Sequence, residues 1–283
     1  MTYGEAARKL TECGSDNGRY EAALLFCKLF GLDMSEIPLL SDRDFDSPEL
    51  TAAIERRVGG YPLQYILGEW DFYGLTFEVG EHCLCPRADT ETAVEAAIKL
   101  LPSGGRFLEL CTGSGCIPVA VCKHRPDVSG IATDLFEETL AIAKRNAGRN
   151  GVKDRIGFLL ADVFDLDVWE KGEGKALIPH GGFDAIISNP PYIPTKDIEN
   201  LSKEVKHEPR AALDGGEDGL DFYRFIVSEY GKYLADDGRI IFEIGYDQGE
   251  ALASIAVEKG YTCRILKDLS GNDRVAVLER INR

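Results

Sequence analysis

The tetrapeptide Asn-Pro-Pro-Tyr at positions 189–192 ends an apolar, strand-like run, and its residue types are the ones in this chain that most clearly could take part in a reaction. Neither proline can donate a backbone hydrogen bond, so the segment cannot continue a sheet ladder. The side-chain carbonyl of Asn189 and the backbone carbonyl of Pro190 are two acceptors that can take both hydrogens of a planar NH₂ group. The Tyr192 ring can cover the flat face of such a group. The alternative is a rigid loop that only stops a strand.

An amide or ring-attached NH₂ nitrogen is a poor nucleophile because its lone pair is delocalised. Two fixed acceptors would increase its electron density and aim the lone pair, so that an electrophilic methyl group held opposite could be transferred in line. This chemistry needs no metal ion, histidine base or covalent nucleophile. We expect no metal site, since the eight cysteines form no CxxC pair and the four histidines do not cluster with them.

A second candidate site is the loop Thr-Gly-Ser-Gly at 112–115, which joins a predicted strand to a predicted helix. Glycines let a ligand approach the backbone, and ligands of open α/β sheets bind beyond the carboxyl ends of the strands. Asp134 ends the next strand about 20 residues after Gly113, where a carboxylate can accept both hydroxyls of a ribose. The alternatives are a tight turn for the loop and a helix N-cap for Asp134.

Polar residues also end the third and fourth predicted strands. Asp162 can accept an exocyclic amine of adenine, while Val163 or Phe164 packs on the base, and the fourth strand ends at Asn189. Four consecutive strands therefore place polar groups at one edge of the predicted sheet, which is hard to explain as turn chemistry repeated by chance.

From Gly105 onwards, strand patterns alternate with helix patterns, which predicts an α/β domain with a doubly wound, mostly parallel sheet. The last two strands are separated by a short turn, so one of them should run antiparallel. The glycine-bearing polar segment 165–182 is expected to be a surface loop. The predicted strands are RFLELC, VSGIATD, RIGFLL, FDAIIS, RIIFEI, TCRILKD and RVAVLER.

The first part of the chain reads differently, because residues 1–70 carry helix signals. Thr2 and Glu5 have the spacing of a capping box, Gly31 closes an apolar helical block, and Ser47 precedes a first-turn proline. Three domains are predicted: a helical domain at 1–70, a linking β-hairpin at 71–84 and the α/β domain at 85–283. The alternative for residues 1–70 is an extension packed on the main core.

Composition limits the classes of partner. The net charge of −16, with no basic run longer than two residues, argues against phosphate-driven binding of nucleic acid. No apolar run reaches membrane-spanning length and the N-terminus lacks a signal-peptide layout. The scattered cysteines indicate free thiols in a reducing compartment. We therefore expect a cytoplasmic protein that does not bind membranes, and we expect a monomer.

Six segments carry a resemblance to a known family: PLQYILG (62–68), PRADTE (86–91), TGSG (112–115), NPPYIP (189–194), EVKHEPRAALDGGEDGLDFYR (204–224) and DLSGNDRVAV (268–277). Through them nearly the whole chain resembles the release-factor glutamine methyltransferases, the HemK/PrmC family, which methylate the glutamine of the Gly-Gly-Gln motif in bacterial peptide-chain release factors. NPPY alone indicates only amide or base-amine methylation, whereas the segment 204–224 is far more specific.

The resemblance implies a seven-stranded, Rossmann-like class I methyltransferase domain behind a helical domain that helps to recognise the release factor. It implies S-adenosylmethionine as cofactor and a glutamine side chain held by Asn189, Pro190, Pro191 and Tyr192, with Asn189, Pro190 and Tyr192 catalytic. The implied cofactor-binding residues are Cys111, Thr112, Gly113, Ser114, Gly115, Asp134, Asp162, Val163 and Asn189.

Three residues depart from the family pattern. Glu109 stands where Asp is more usual, Cys111 replaces the first glycine of the loop, and Ala88 replaces a proline. The larger side chain of Cys111 narrows the expected methionine end of the cofactor site. Three other functions stay open at this point: methylation of a ribosomal-protein glutamine, methylation of a nucleic-acid amino group, and cofactor binding without turnover.

Overall fold

The structure is a computed structural model that describes residues 1–40 and 43–281. These residues fall into two compact units. The first comprises Met1–Glu69 and Leu201–His207, and the second comprises Trp70–Asn200 and the described chain from Glu208 onwards. The chain therefore contributes to the first unit twice, and the later visit follows soon after the NPPY segment.

The first unit is helical, as its sequence signals predict. Thr2 accepts a hydrogen bond from the Glu5 N–H and the Glu5 carboxylate accepts one from the Thr2 N–H, which completes the capping box. Gly31 ends its helix in the left-handed conformation, and Ser47 caps the next helix through the Leu50 N–H. The four helices are α1 (Tyr3–Glu12), α2 (Gly18–Phe30), α3 (Pro48–Val58) and α4 (Leu63–Leu67).

The contacts of the segment Leu201–His207 with this helical unit include an ion pair and a ring contact. Arg57 pairs with Glu21 at 2.7 Å and also with Glu204. The ring centroids of Tyr61 and His207 lie 5.2 Å apart. In the Arg57–Glu204 pair the Arg57 side chain is largely buried and the Glu204 side chain is partly exposed.

The second unit begins with a two-stranded sheet of β1 (Glu69–Phe72) and β2 (Leu75–Glu78). The predicted hairpin at 71–84 is therefore present but starts earlier and ends before Gly80, whose carbonyl instead accepts the Cys83 N–H in a turn. Helix α5 (Glu91–Leu100), which the sequence analysis did not predict, follows.

A seven-stranded sheet forms the centre of the second unit, which confirms the α/β prediction. Its order is β5-β4-β3-β6-β7-β9-β8, and β9 runs antiparallel to the other six strands. The strands are β3 (Arg106–Leu110), β4 (Ser129–Asp134), β5 (Ile156–Leu160), β6 (Phe183–Ser188), β7 (Leu234–Glu243), β8 (Tyr261–Lys267) and β9 (Asp273–Arg280).

Apolar side chains cover both faces of this sheet. In β6, Ile187 belongs to the apolar cluster on one face and Ile186 to the cluster on the other, as expected for a parallel strand buried on both sides. The flanking α-helices, apart from one short helix described next, are α6 (Cys116–His124), α7 (Glu137–Arg149), α9 (Asp221–Glu229) and α10 (Gly249–Glu258). The carboxyl ends of β3, β4, β5 and β6 consequently meet at one edge.

The prediction of a surface loop at 165–182 is wrong at its centre. Helix α8 (Asp167–Glu170) and a 3₁₀ turn lie there, and the Trp169 side chain is fully buried. Its ring contacts Phe183 and Tyr233, with centroids 6.4 and 6.0 Å away. Trp169 anchors this segment together with four partly buried residues that pack on the same apolar cluster, Leu166, Val168, Leu177 and Ile178. Within residues 1–40 and 43–281, no helix is long and apolar enough to cross a membrane.

Candidate active site

A cavity of about 420 Å³ opens at the carboxyl ends of β3, β4, β5 and β6, entirely within the second unit. Its size is typical of small-molecule sites. Most residues that the sequence analysis named are brought together around it. These are Cys111, Thr112, Gly113, Ser114, Asp134, Asp162, Val163, Asn189 and Pro191.

Three named residues lie outside the lining of this cavity. Gly115 begins α6 in the left-handed conformation, and a Cβ there would lie 3.0 Å from the Cβ of Ala143, so its glycine serves helix packing. Pro190 is buried, and the Tyr192 ring packs against the apolar cluster of one sheet face. Burial raises the pKa of Tyr192 to about 12. Ligand contacts for these three residues stay predictions.

Hydrogen bonds to strand residues fix the position of the glycine loop. The Thr112 N–H donates to the Thr133 carbonyl at 2.9 Å, and the Thr112 hydroxyl donates to the buried Glu109 carboxylate. Burial raises the pKa of Glu109 well above its usual value. Cys111 has φ = 60°, so this cysteine occupies the left-handed conformation that suits the glycine usual in the family.

Asp134, the last residue of β4, forms a hydrogen bond with the glycine loop. Its carboxylate accepts the Gly113 N–H at 2.9 Å and the Phe136 N–H at 3.4 Å, and burial raises its pKa. Helix α7 begins at Glu137 with Phe136 as its N-cap residue, so Asp134 is not the N-cap of this helix. Asp134 lines the cavity and forms no ion pair within the described part of the chain.

The loop residues fit a polar ligand such as S-adenosylmethionine. The Ser114 hydroxyl is buried and has no hydrogen-bond partner in the part of the chain that the structure describes. Gly113 has φ = 56°, and a Cβ there would meet no atom within 4 Å, so its backbone borders open space. A buried hydroxyl without a partner is costly unless a ligand supplies one.

Several cavity residues were missed by the sequence analysis. The aromatic residues Phe136 and Phe222 line the cavity, and the Phe222 ring lies 4.7 Å from that of Phe164. Phe222 lies inside the resembling segment 204–224, which was the available signal. Arg87 and Thr90 from the PRADTE segment also line the cavity, although the sequence analysis gave them no role.

The NPPY segment is held by hydrogen bonds from other parts of the unit. Ile193 donates to the Leu213 carbonyl and accepts from the Gly215 N–H, both at 2.9 Å, and the Gln248 side chain donates to the Tyr192 carbonyl at 2.9 Å. The Pro190 carbonyl accepts no hydrogen bond from any described residue. The role of this carbonyl as an acceptor for a substrate stays a prediction.

Glu208 joins the two segments that flank this wall of the cavity. Its buried carboxylate accepts the Cys85 N–H at 3.1 Å and pairs with Arg87 at 2.7 Å. The following residue, Pro209, lines the cavity together with Cys85 and Arg87. The PRADTE segment and the segment 204–224 thus meet at an ion pair whose carboxylate is buried and whose guanidinium is partly exposed.

Comparison with known proteins decides the family. Residues 3–68 match the family model of the PrmC N-terminal domain, and residues 88–218 match that of the Methyltransferase small domain. The release factor glutamine methyltransferase of Geobacter sulfurreducens is 40% identical over 273 residues, covering 94% of this chain and 91% of the relative. That of Thermodesulfovibrio yellowstonii is 38% identical over 274 residues, covering 92% of each. The chain belongs to the release factor glutamine methyltransferase family.

Family membership confirms the predicted resemblance and makes this protein a methyltransferase. Two solved structures share the fold of the sheet domain. A methyltransferase from Pyrococcus furiosus has a TM-score of 0.53 at 18% identity, covering 75% of this chain and 91% of that one. The hMettl16 catalytic domain has a TM-score of 0.57 at 14% identity, covering 82% of each chain. The predicted class I methyltransferase fold with a helical N-terminal domain is thus confirmed.

Four cysteine thiols line the cavity, and their environment predicts low reactivity. Burial raises the pKa of each, to about 11 for Cys83 and further for Cys85, Cys111 and Cys116. Since the thiolate is the reactive form, we expect iodoacetamide at about pH 8 to modify the exposed Cys13 long before these four. Peptide mass spectrometry over time measures this. Alkylation of Cys111 as fast as Cys13 would contradict a packing role and favour a redox role.

Proposed function

We propose that this protein transfers the methyl group of S-adenosylmethionine to the side-chain amide nitrogen of the glutamine in the Gly-Gly-Gln motif of peptide-chain release factors. The observation that carries the proposal is that Asn189 lines the same cavity as the glycine loop and Asp134. The names of the relatives favour release factors over a ribosomal protein or a nucleic acid as substrate. The predicted monomeric state and cytoplasmic location remain predictions.

The substrate amide is held by two acceptors. The Asn189 side-chain oxygen and the Pro190 carbonyl accept its two N–H groups, which aims the nitrogen lone pair. S-adenosylmethionine, which Gly113, Ser114 and Asp134 would hold in the cavity, would supply an electrophilic methyl group to this nitrogen. The nitrogen gains positive charge, so both acceptors bind it more strongly in the transition state than before. The surplus proton then leaves the nitrogen for water.

The other predicted contacts belong to the same proposal. Asp134 accepts the ribose hydroxyls, Asp162 accepts the adenine amine, and the buried Val163 packs on the base. Support comes from the lining of one cavity by all three residues. The Tyr230 hydroxyl donates to the Val163 carbonyl at 3.1 Å, which fixes the position of this part of the wall.

The reaction is tested by incubating the protein with S-adenosylmethionine and, separately, a purified release factor, ribosomal proteins and DNA. We expect one methyl group on the Gly-Gly-Gln glutamine, located by peptide mass spectrometry. The matched control is the same release factor with this glutamine replaced by alanine, which should remain unmodified. Methylation of ribosomal protein or DNA instead would contradict the proposed substrate, and no transfer to any of them would contradict turnover.

The role of Asp134 in cofactor binding gives a quantitative prediction. Asp134→Ala removes two charge-assisted hydrogen bonds to the ribose, each contributing roughly 1.5–3 kcal/mol. We expect calorimetry to show S-adenosylmethionine binding weakened by at least about a hundredfold. Asp134→Asn keeps one acceptor and should lie between the parent and Asp134→Ala. Unchanged affinity in Asp134→Ala would mean that this residue only fixes the Gly113 backbone.

We propose that the helical unit recognises the release factor, as the match of residues 3–68 to the PrmC N-terminal domain suggests. Deleting residues 1–68 should then leave cofactor binding intact, because the whole cavity is built from the second unit. Methylation of the intact release factor should fall sharply. Calorimetry of cofactor binding is the control for folding of the truncated protein. Full methylation efficiency after truncation would show that recognition lies elsewhere.

A further inference from the structure

Glu243 is a buried carboxyl group to which the reaction described above gives no role. It is the last residue of β7, and the preceding Phe242 pairs with Ser188 of the parallel strand β6. Glu243 and Asn189 therefore occupy the next position on neighbouring strands. The Glu243 side chain is only 2% exposed, and its Oε2 has no hydrogen-bond partner among the described residues. An acceptor without a partner thus lies behind the wall that Asn189 forms.

The cation that acts on Glu243 is shared with other acids. Arg274 pairs with Asp89 at 3.2 Å and with Asp268 at 3.3 Å, and Glu243 forms no ion pair among the described residues. Burial raises the pKa of Glu243 to about 7, although the side chains of Thr90, Arg274 and Asn189 lower it in part. The titratable groups that face Glu243 are Asp89, Cys116, Tyr192, Tyr223 and Arg274.

The two ends of the Asn189 amide have nearly the same shape but opposite hydrogen-bonding character. Only the oxygen end can accept from a substrate NH₂ group, so the amide must be held in one of its two orientations. A carboxylate accepts hydrogen bonds and cannot donate them, so it selects the NH₂ end of Asn189. A protonated carboxyl group can donate to the oxygen end and favours the reverse orientation.

We propose that Glu243 is the positioning residue for Asn189: its carboxylate accepts a hydrogen bond from the Asn189 NH₂ group and turns the Asn189 oxygen toward the substrate amide. Asn189 already lowers the pKa of Glu243 in this structure, so the two side chains interact before the substrate binds, and we expect their hydrogen bond to tighten when it does. The inference rests on the proposed function, since it concerns the same amide platform. Because only the ionised carboxylate selects this orientation, the rate of methyl transfer should rise with pH through about 7.

The kinetic test is single-turnover methyl transfer to a release factor, with cofactor saturating, from roughly pH 6 to pH 8.5. Glu243→Gln offers either end of its own amide to Asn189. We therefore expect it to be about tenfold slower than the parent above pH 7 and to lose the pH step. In an Asn189→Ala background, Glu243→Gln should have no further effect. A variant with the parent rate and pH step, or an equal loss in both backgrounds, would overturn the proposal.

A second measurement does not depend on the substrate. In protein labelled with ¹⁵N-asparagine, the Asn189 NH₂ signal is identified by its absence from Asn189→Ala. It should move with pH with a midpoint near 7 in the parent and stay fixed in Glu243→Gln. If Glu243→Gln does not fold, the parent protein alone is sufficient for the test. An Asn189 NH₂ signal that does not move between roughly pH 6 and pH 8 in the parent overturns the proposal. If the signal titrates but the release factor is not methylated, the proposed function fails while the positioning role stands.

Discussion

A strand that ends in two prolines cannot fix the loop that follows it through backbone N–H groups. The rest of the active site supplies the hydrogen bonds that this loop lacks. Pro190 and Pro191 have no N–H groups, so hydrogen bonds to the loop must come from elsewhere. Gln248 donates to the Tyr192 carbonyl, and Ile193 exchanges hydrogen bonds with Leu213 and Gly215. Because these donors belong to α10's N-cap and to the segment after Glu208, the position of the platform depends on chain far from it in sequence.

The charges behind the platform are arranged to leave one acid without a cation. Arg274 comes from the DLSGNDRVAV segment and Asp89 from the PRADTE segment, so their ion pair joins two segments that carry the family resemblance. Asp268 also forms an ion pair with the Arg274 guanidinium. Burial raises the pKa of Glu243 to about 7, and the paired Arg274 only partly offsets this effect. A carboxyl group in this state is suited to respond to pH, whereas a fully paired one is not.

The sequence alone predicts the parts of this structure that depend on local pattern. Helix caps at Thr2 and Ser47 and all seven sheet strands could be predicted, because capping and apolar periodicity are encoded within a few residues. The neighbours of Glu243 could not be predicted, because they follow from the placement of β7 beside β6 and β9. The burial of Trp169 was missed because the segment around it is mostly polar and reads as a surface loop. The grouping of Leu201–His207 with the helical unit depends on side-chain contacts that no local pattern records.

The central claim is that the NPPY segment holds the reacting amide through Asn189, and one rate constant tests it most directly. The measurement is single-turnover methyl transfer to the Gly-Gly-Gln glutamine by Asn189→Ala, with S-adenosylmethionine saturating so that any loss of cofactor affinity is removed. Loss of one preorganised polar group that acts mainly in the transition state typically slows the chemical step about 10²–10³-fold, and we expect a decrease of that size. Transfer by Asn189→Ala at the parent rate would contradict the account and reduce NPPY to a strand stop.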